Sequence, residues 1–234
     1  MNTPLNKRFW KEVSVVRKDD GFAVFLDNRP LKTPTKAPLL APTEALAEAI
    51  ADEWRAVEEK IDPRTMHLTR CANATIDKVR NEHGAVAAML AEYGATDLLC
   101  YRAESPESLA KRQQEAWDPL LEWLENTHGV VLNVTSGVMH IAQPEEGQEK
   151  LRRIVRDFDP WRMTALHDLV TISGSLVLAL ATVEGHLTPS ASWELSRIDD
   201  KWQEEQWGTD DEARAAAEVK FQDYCKAARL LDLL

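Results

Sequence analysis

The stretch from Asp159-Pro160 to Val183 limits the folds open to this chain more than any other. Its centre, LVTISGSLVLALATV, runs for about 15 residues without a charge. A bilayer crossing takes roughly 20 such residues, and His167 and Asp168 stand just upstream. A helix that is apolar on every side belongs at the centre of a bundle, enclosed by other helices. The small residues Ser173, Gly174, Ser175 and Ala179 would let those neighbours approach closely. One helix over Trp161–Val183 is therefore expected as the hub of a helical domain, not as a membrane anchor.

The start of the chain follows a different pattern. Residues 9–40 read as a β-meander, with strands over Glu12–Arg17, Phe22–Leu26 and Leu31–Thr33. The turns are Asp20-Gly21 and Asp27-Asn28-Arg29-Pro30. Over Thr43–Ile61, Leu46, Ile50, Trp54, Val57 and Ile61 recur at helical spacing, which predicts an amphipathic helix lying on that sheet with Trp54 in the core. Asp62-Pro63 ends it. Helices follow over 69–80 and 84–93, the second with Val86, Met89, Leu90 and Tyr93 inward. Ser105-Pro106 opens another, with Ser105 as cap; Asp118-Pro119 should kink it and Gly129 stop it. Residues 129–143 are β-like, a short hairpin or an extended connector. Helices at Gln148–Phe158 and Glu212–Leu233 complete the set. The expected class is α+β. A small meander/helix domain over 1–66 precedes an all-α orthogonal-bundle domain over 67–234.

A net charge of −11 excludes a protein that tracks nucleic-acid phosphates. The acidic balance, with no basic amphipathic helix, also speaks against a membrane-surface protein. Cys71, Cys100 and Cys225 lie far apart in no ligand spacing, so they read as thiols in a reducing compartment. The start of the chain lacks the pattern of a leader, which points to a bacterial cytoplasm or to an already processed mature form. There is no glycine-rich phosphate loop, GxSxG elbow or HExxH, and no cofactor is expected.

One stretch remains, PSASWELSRIDDKWQEEQWGTDDE at 189–212, with three of the eight tryptophans packed among carboxylates. Read as a single helix it has two faces. Leu195, Ile198 and Trp202 form an apolar stripe. Trp193, Arg197, Asp200, Glu204 and Trp207 line the other side, and Asp199 lies beside them. That second face cannot be buried without partners for its charges, and Trp and Arg dominate binding hot spots. An ordinary charge-paired surface helix is the plain alternative. A second alternative is a metal-dependent hydrolase using the acidic helix 194–205 and His167. Its carboxylates lack the glycine turn of a calcium loop, and adjacent His167 and Asp168 should point about 100° apart.

Several segments are familiar in order: RFWKEVSV at Arg8–Val15, VFLDNRPLKTP at Val24–Pro34, LAEAIADEW at Leu46–Trp54, IDPRTMHLTR at Ile61–Arg70, NATIDKV at Asn73–Val79, YRAESPESLAKRQQEAWDPLLEWL at Tyr101–Leu124 and ELSRIDDKWQEEQWG at Glu194–Gly208. Together they resemble the ATP synthase F(1) α-subunit assembly chaperones, the family of the mitochondrial F(1)-ATPase assembly factor 2. Asn28 stands where that family often has glycine, and His67 and Cys71 stand where it usually has proline and leucine. The resemblance implies a two-domain protein without enzymatic activity. It would bind the unassembled α subunit and prevent its aggregation until the β subunit takes its place. Relatives in eukaryotes would do so in the mitochondrial matrix. The resemblance puts the family's acidic functional position at Asp199 or Asp200. The partner-binding set is then Trp193, Arg197, Asp199, Asp200, Glu204 and Trp207, on a protein expected to be monomeric when free.

Overall fold

The structure, a computed structural model, describes residues 7–234. The first six residues, on which the leaderless reading and the start of the expected N-terminal domain partly rest, lie outside the described residues. Contacts group the chain into two units. One runs to His83 and includes Pro160–Thr164 and Arg229–Leu234. The other holds Gly84–Asp159 and Ala165–Ala228.

The first unit is built on a hairpin. β1 (Val13–Lys18) pairs antiparallel with β2 (Gly21–Leu26), from Val13 opposite Leu26 to Lys18 opposite Gly21. β3 (Arg29–Pro30) and β4 (Leu40–Ala41) both pair with β2. Gly21 has φ +143°, and a Cβ there would lie 2.5 Å from the Ala41 carbonyl oxygen, so only glycine lets β4 close in. The third strand is thus Arg29–Pro30 and not Leu31–Thr33. The left-handed residue of the second turn is Asp27 (φ 53°). Its carboxylate accepts the backbone N–H groups of Glu12 (2.9 Å) and Lys11 (3.0 Å), which fix the turn and hold the carboxyl below its usual range.

Helix α1 (Glu44–Arg55) covers the sheet and buries Leu46 and Ile50 completely. The Thr43 hydroxyl caps it by accepting from the Leu46 N–H at 3.1 Å. The helix ends six residues before Ile61, because the backbone beyond it has other partners. Arg8 donates its backbone N–H to the Glu59 carbonyl and its guanidinium to that of Val57. Val57 stays buried without being helical.

Trp54, expected in the core, is half-buried. Trp10 is the buried member of the pair, edge-on to Trp54 at 5.2 Å, and the Trp54 Nε1–H donates to Thr69 Oγ1 at 3.1 Å. Trp54→Phe should therefore cost about 1 kcal/mol, the worth of that hydrogen bond. Trp54→Ala should cost about 3 kcal/mol, the lower end for a buried tryptophan. Urea titration of the two variants separates the contributions.

Helix α2 (His67–Ala74) follows and runs into a π-helical turn, Thr75–Val79. Met66 offers its start no side-chain cap. Glu53 of α1 supplies it, accepting from the Leu68 and Thr69 N–H groups at 2.7 and 2.8 Å.

In the second unit α3 (His83–Ala91) buries Val86 and Leu90 but leaves Met89 exposed, against expectation. β5 (Tyr101–Arg102) leads to α4 (Glu107–His128). Pro106, not Ser105, is the N-cap and makes no side-chain cap bond. The helix also runs unbroken through Pro119. Trp117 and Leu120 are buried on either side of the proline and hold both halves in line. Gly129 ends it in the left-handed conformation, as expected. Residues 130–143 are an extended connector, whose β6 (Thr135–Ser136) pairs parallel with β5. The α+β class stands, with this two-residue pair inside the helical part.

Next come α5 (Glu145–Asp157), α6 (Pro160–Ser173) and α7 (Leu176–Val183). The expected hub helix is therefore two helices. Gly174 adopts φ 73° and Ser175 restarts the helix, its Oγ accepting from the Leu178 N–H at 3.0 Å. Leu176–Thr182 are all buried, so the central role falls to α7. Its N-terminus is held by the buried Asp97, which accepts from Val177 N–H (3.0 Å), Ser175 Oγ (2.7 Å) and Leu99 N–H (3.0 Å). Burial pushes that carboxyl up, against the pull of these donors. Three further helices, α8 (Pro189–Ser196), α9 (Ile198–Trp207) and α10 (Asp211–Asp232), end the chain.

Candidate functional site

The tryptophan- and carboxylate-rich stretch is two helices, and this changes which residues share a face. Thr188 caps α8, its hydroxyl accepting from the Ala191 N–H, with Pro189 at the first position. The Ser196 hydroxyl bonds back to the Trp193 carbonyl at 2.7 Å, and Arg197 leaves helical geometry at φ −114°, ψ 21°. Extrapolating one 3.6-residue period across that break misplaces whatever precedes it.

Trp193 is the casualty. It was expected on the outer face and is 7% exposed, with its ring 6.0 Å from those of Phe221 and Tyr224 on α10. Ser192 beside it hydrogen-bonds the Tyr224 hydroxyl at 2.7 Å. On the expected inner stripe Ile198 is buried, whereas Leu195 and Trp202 are half-buried.

The remaining outer residues do come together. Arg197 lies over the Trp193 ring and donates from Nε to Asp200 at 3.1 Å and from Nη2 to Glu204 at 2.9 Å. Glu205 pairs with Arg112 of α4 at 2.8 Å, and Asp199 accepts from the buried Gln113 on the same helix. These two links seat α9 on α4. Trp117 ties α8 to the same helix, its Nε1–H donating to the Leu195 carbonyl at 2.9 Å. Glu194 pairs with Lys201. At the far end Trp207 is 76% exposed and touches Trp202 edge-on at 5.8 Å. Gly208, with φ 87°, turns the chain away behind it.

This arrangement suits binding more than chemistry. The carboxylates of α8 and α9 are each tied to a donor, Asp200 and Glu204 sharing Arg197, and their oxygens form no group of three ligand atoms among the described residues. His167 and Asp168, expected to point apart, hydrogen-bond each other at 3.0 Å, and both are solvent-accessible.

Sequence reasoning missed a second surface feature. Val138 is 95% and Met139 78% exposed, at the tip that follows β6. The tip borders a groove of about 430 Å³ whose walls include Arg102, Glu104, Gln113 and Asp199. The available signal was the absence of charge around Gly137 in residues 129–139. That absence reads equally well as a buried strand.

Known proteins share this architecture and sequence. Residues 7–125 match the ATP12 chaperone protein family. The mitochondrial protein atp12 of Schizosaccharomyces pombe is 26% identical over 222 residues, which is 90% of this chain and 76% of that protein. The crystal structure of Atp12 from Paracoccus denitrificans is 48% identical and superposes with a TM-score of 0.93 over 97% of both chains. An aspartate-to-lysine mutant of that protein gives the same values. A protein of Agrobacterium tumefaciens is 40% identical, with a TM-score of 0.93 over 99% of this chain and 87% of its own.

Proposed function

This chain belongs to the ATP12 chaperone family, whose members serve ATP synthase assembly and are not enzymes, and on that premise we propose that it binds the unassembled α subunit of the F(1) sector and keeps it from aggregating until the β subunit replaces it. The observation that supports this reading most is Trp207, a large aromatic left in water at the edge of a helix bearing Asp199, Asp200 and Glu204. Covering about 200 Å² of such a ring is worth about 5 kcal/mol before ordering costs. An exposed ion pair contributes only about 0–1 kcal/mol. The anchor therefore carries affinity, and the carboxylates select and orient a client with basic groups around an apolar patch. Arg197 holds Asp200 and Glu204 in place, and Trp193 supports Arg197 from beneath.

No nucleotide or metal is needed for this work, and the free protein is a monomer in this reading. Among the described residues no helix is long and apolar enough to cross a membrane. The protein would act where F(1) is assembled: the cytoplasm of a bacterium, or the mitochondrion for relatives such as the fission-yeast protein. Light scattering of isolated α subunit diluted from denaturant tests the proposal. Equimolar protein should suppress aggregation without ATP. Undiminished scattering would refute it.

A further inference from the structure

The groove beside β5 and the exposed tip at Val138 and Met139 have a chemistry of their own. Gly137 anchors the tip by donating its N–H to the Arg102 carbonyl at 2.8 Å, and the Tyr101 hydroxyl meets His140 Nδ1 at 3.4 Å. Two apolar side chains are thus displayed from a fixed turn, 95% and 78% exposed. Within the same groove Glu104 has no hydrogen-bond or ion-pair partner among the described residues, and Asp199 has only the uncharged Gln113. Arg102 lines the wall and is 8% exposed. Its Nε donates to the Leu99 carbonyl and its Nη2 to Asp118, which fix it as a rigid part of that wall.

We infer that this groove receives an extended segment of the chaperone's protein client, in which an apolar side chain lies against Val138 and Met139 and a neighbouring arginine or lysine reaches Glu104 and Asp199. Each feature answers one part of such a segment: an apolar tip for the apolar side chain, and two carboxylates without a cation for the basic one. Asp199 belongs both to this groove and to α9, so the groove continues the face assigned to the client above. The inference rests on that assignment of the α subunit as client.

Binding of the isolated α subunit to wild type, to the double variant Val138→Ser/Met139→Ser and to Glu104→Lys tests it. All three positions are on the surface, and equal urea midpoints would show that the fold is kept. Binding should weaken at least tenfold in both variants, and Met139→Leu should bind like wild type. A photo-crosslinker at position 138 should map to a client segment with a basic residue next to an apolar one. Variants that bind within twofold of wild type would overturn the inference while leaving the client assignment intact. No binding by wild type would overturn the assignment, and the groove's occupant with it.

Discussion

Trp117→Ala is expected to destabilise the second unit by about 3–5 kcal/mol, enough to unfold a domain of ordinary stability at 37 °C. Trp117 is 1% exposed, so truncation opens a large cavity in α4. It also strands the Leu195 carbonyl, which accepts the indole N–H at 2.9 Å, at the end of α8 where the chain turns into the proposed client face. Arg102, stacked on the ring at 5.1 Å, would lose the surface that holds it in position. Phenylalanine keeps most of the volume and loses the hydrogen bond, so Trp117→Phe should cost about 1–2 kcal/mol. Urea titration followed by circular dichroism distinguishes the two, and similar losses in both would mean that the hydrogen bond, not the packing, matters.

Asp200→Lys is expected to leave the fold intact and abolish protection of the α subunit. Asp200 is 61% exposed and pairs only with Arg197, which also holds Glu204. Losing one exposed pair costs about 0.5–1 kcal/mol. Reversing the charge on a docking face places like charges together, which costs several kcal/mol and on the order of a hundredfold in affinity. Circular dichroism should be unchanged, and light scattering of the α subunit should match that without chaperone. If the variant protects as well as wild type, α9 is not the docking face.

Features carried by local periodicity were legible in the sequence. The β1–β2 hairpin, the buried Leu46 and Ile50 of α1 and the stop at Gly129 follow from spacing and turn chemistry alone. Breaks without proline were not. At Gly174 the run of small residues reads as a close-packing surface, yet it is the point where α6 ends and Ser175 starts α7. At Arg197 neither glycine nor proline marks the break, and it rotates α8 relative to the expected single helix. Trp193 is buried because Phe221 and Tyr224, 28 and 31 residues further on, stand over it. No window on the sequence contains that contact. Trp207 is exposed as expected because it follows the break, on the same helix as Asp200 and Glu204.

Client identity is tested most directly by immobilising the protein and offering it isolated α and β subunits, separately and then in sequence. The α subunit should be retained without nucleotide, the β subunit should pass through, and β added to the loaded column should release α. Retention of β alone, or of neither subunit, would contradict the assignment.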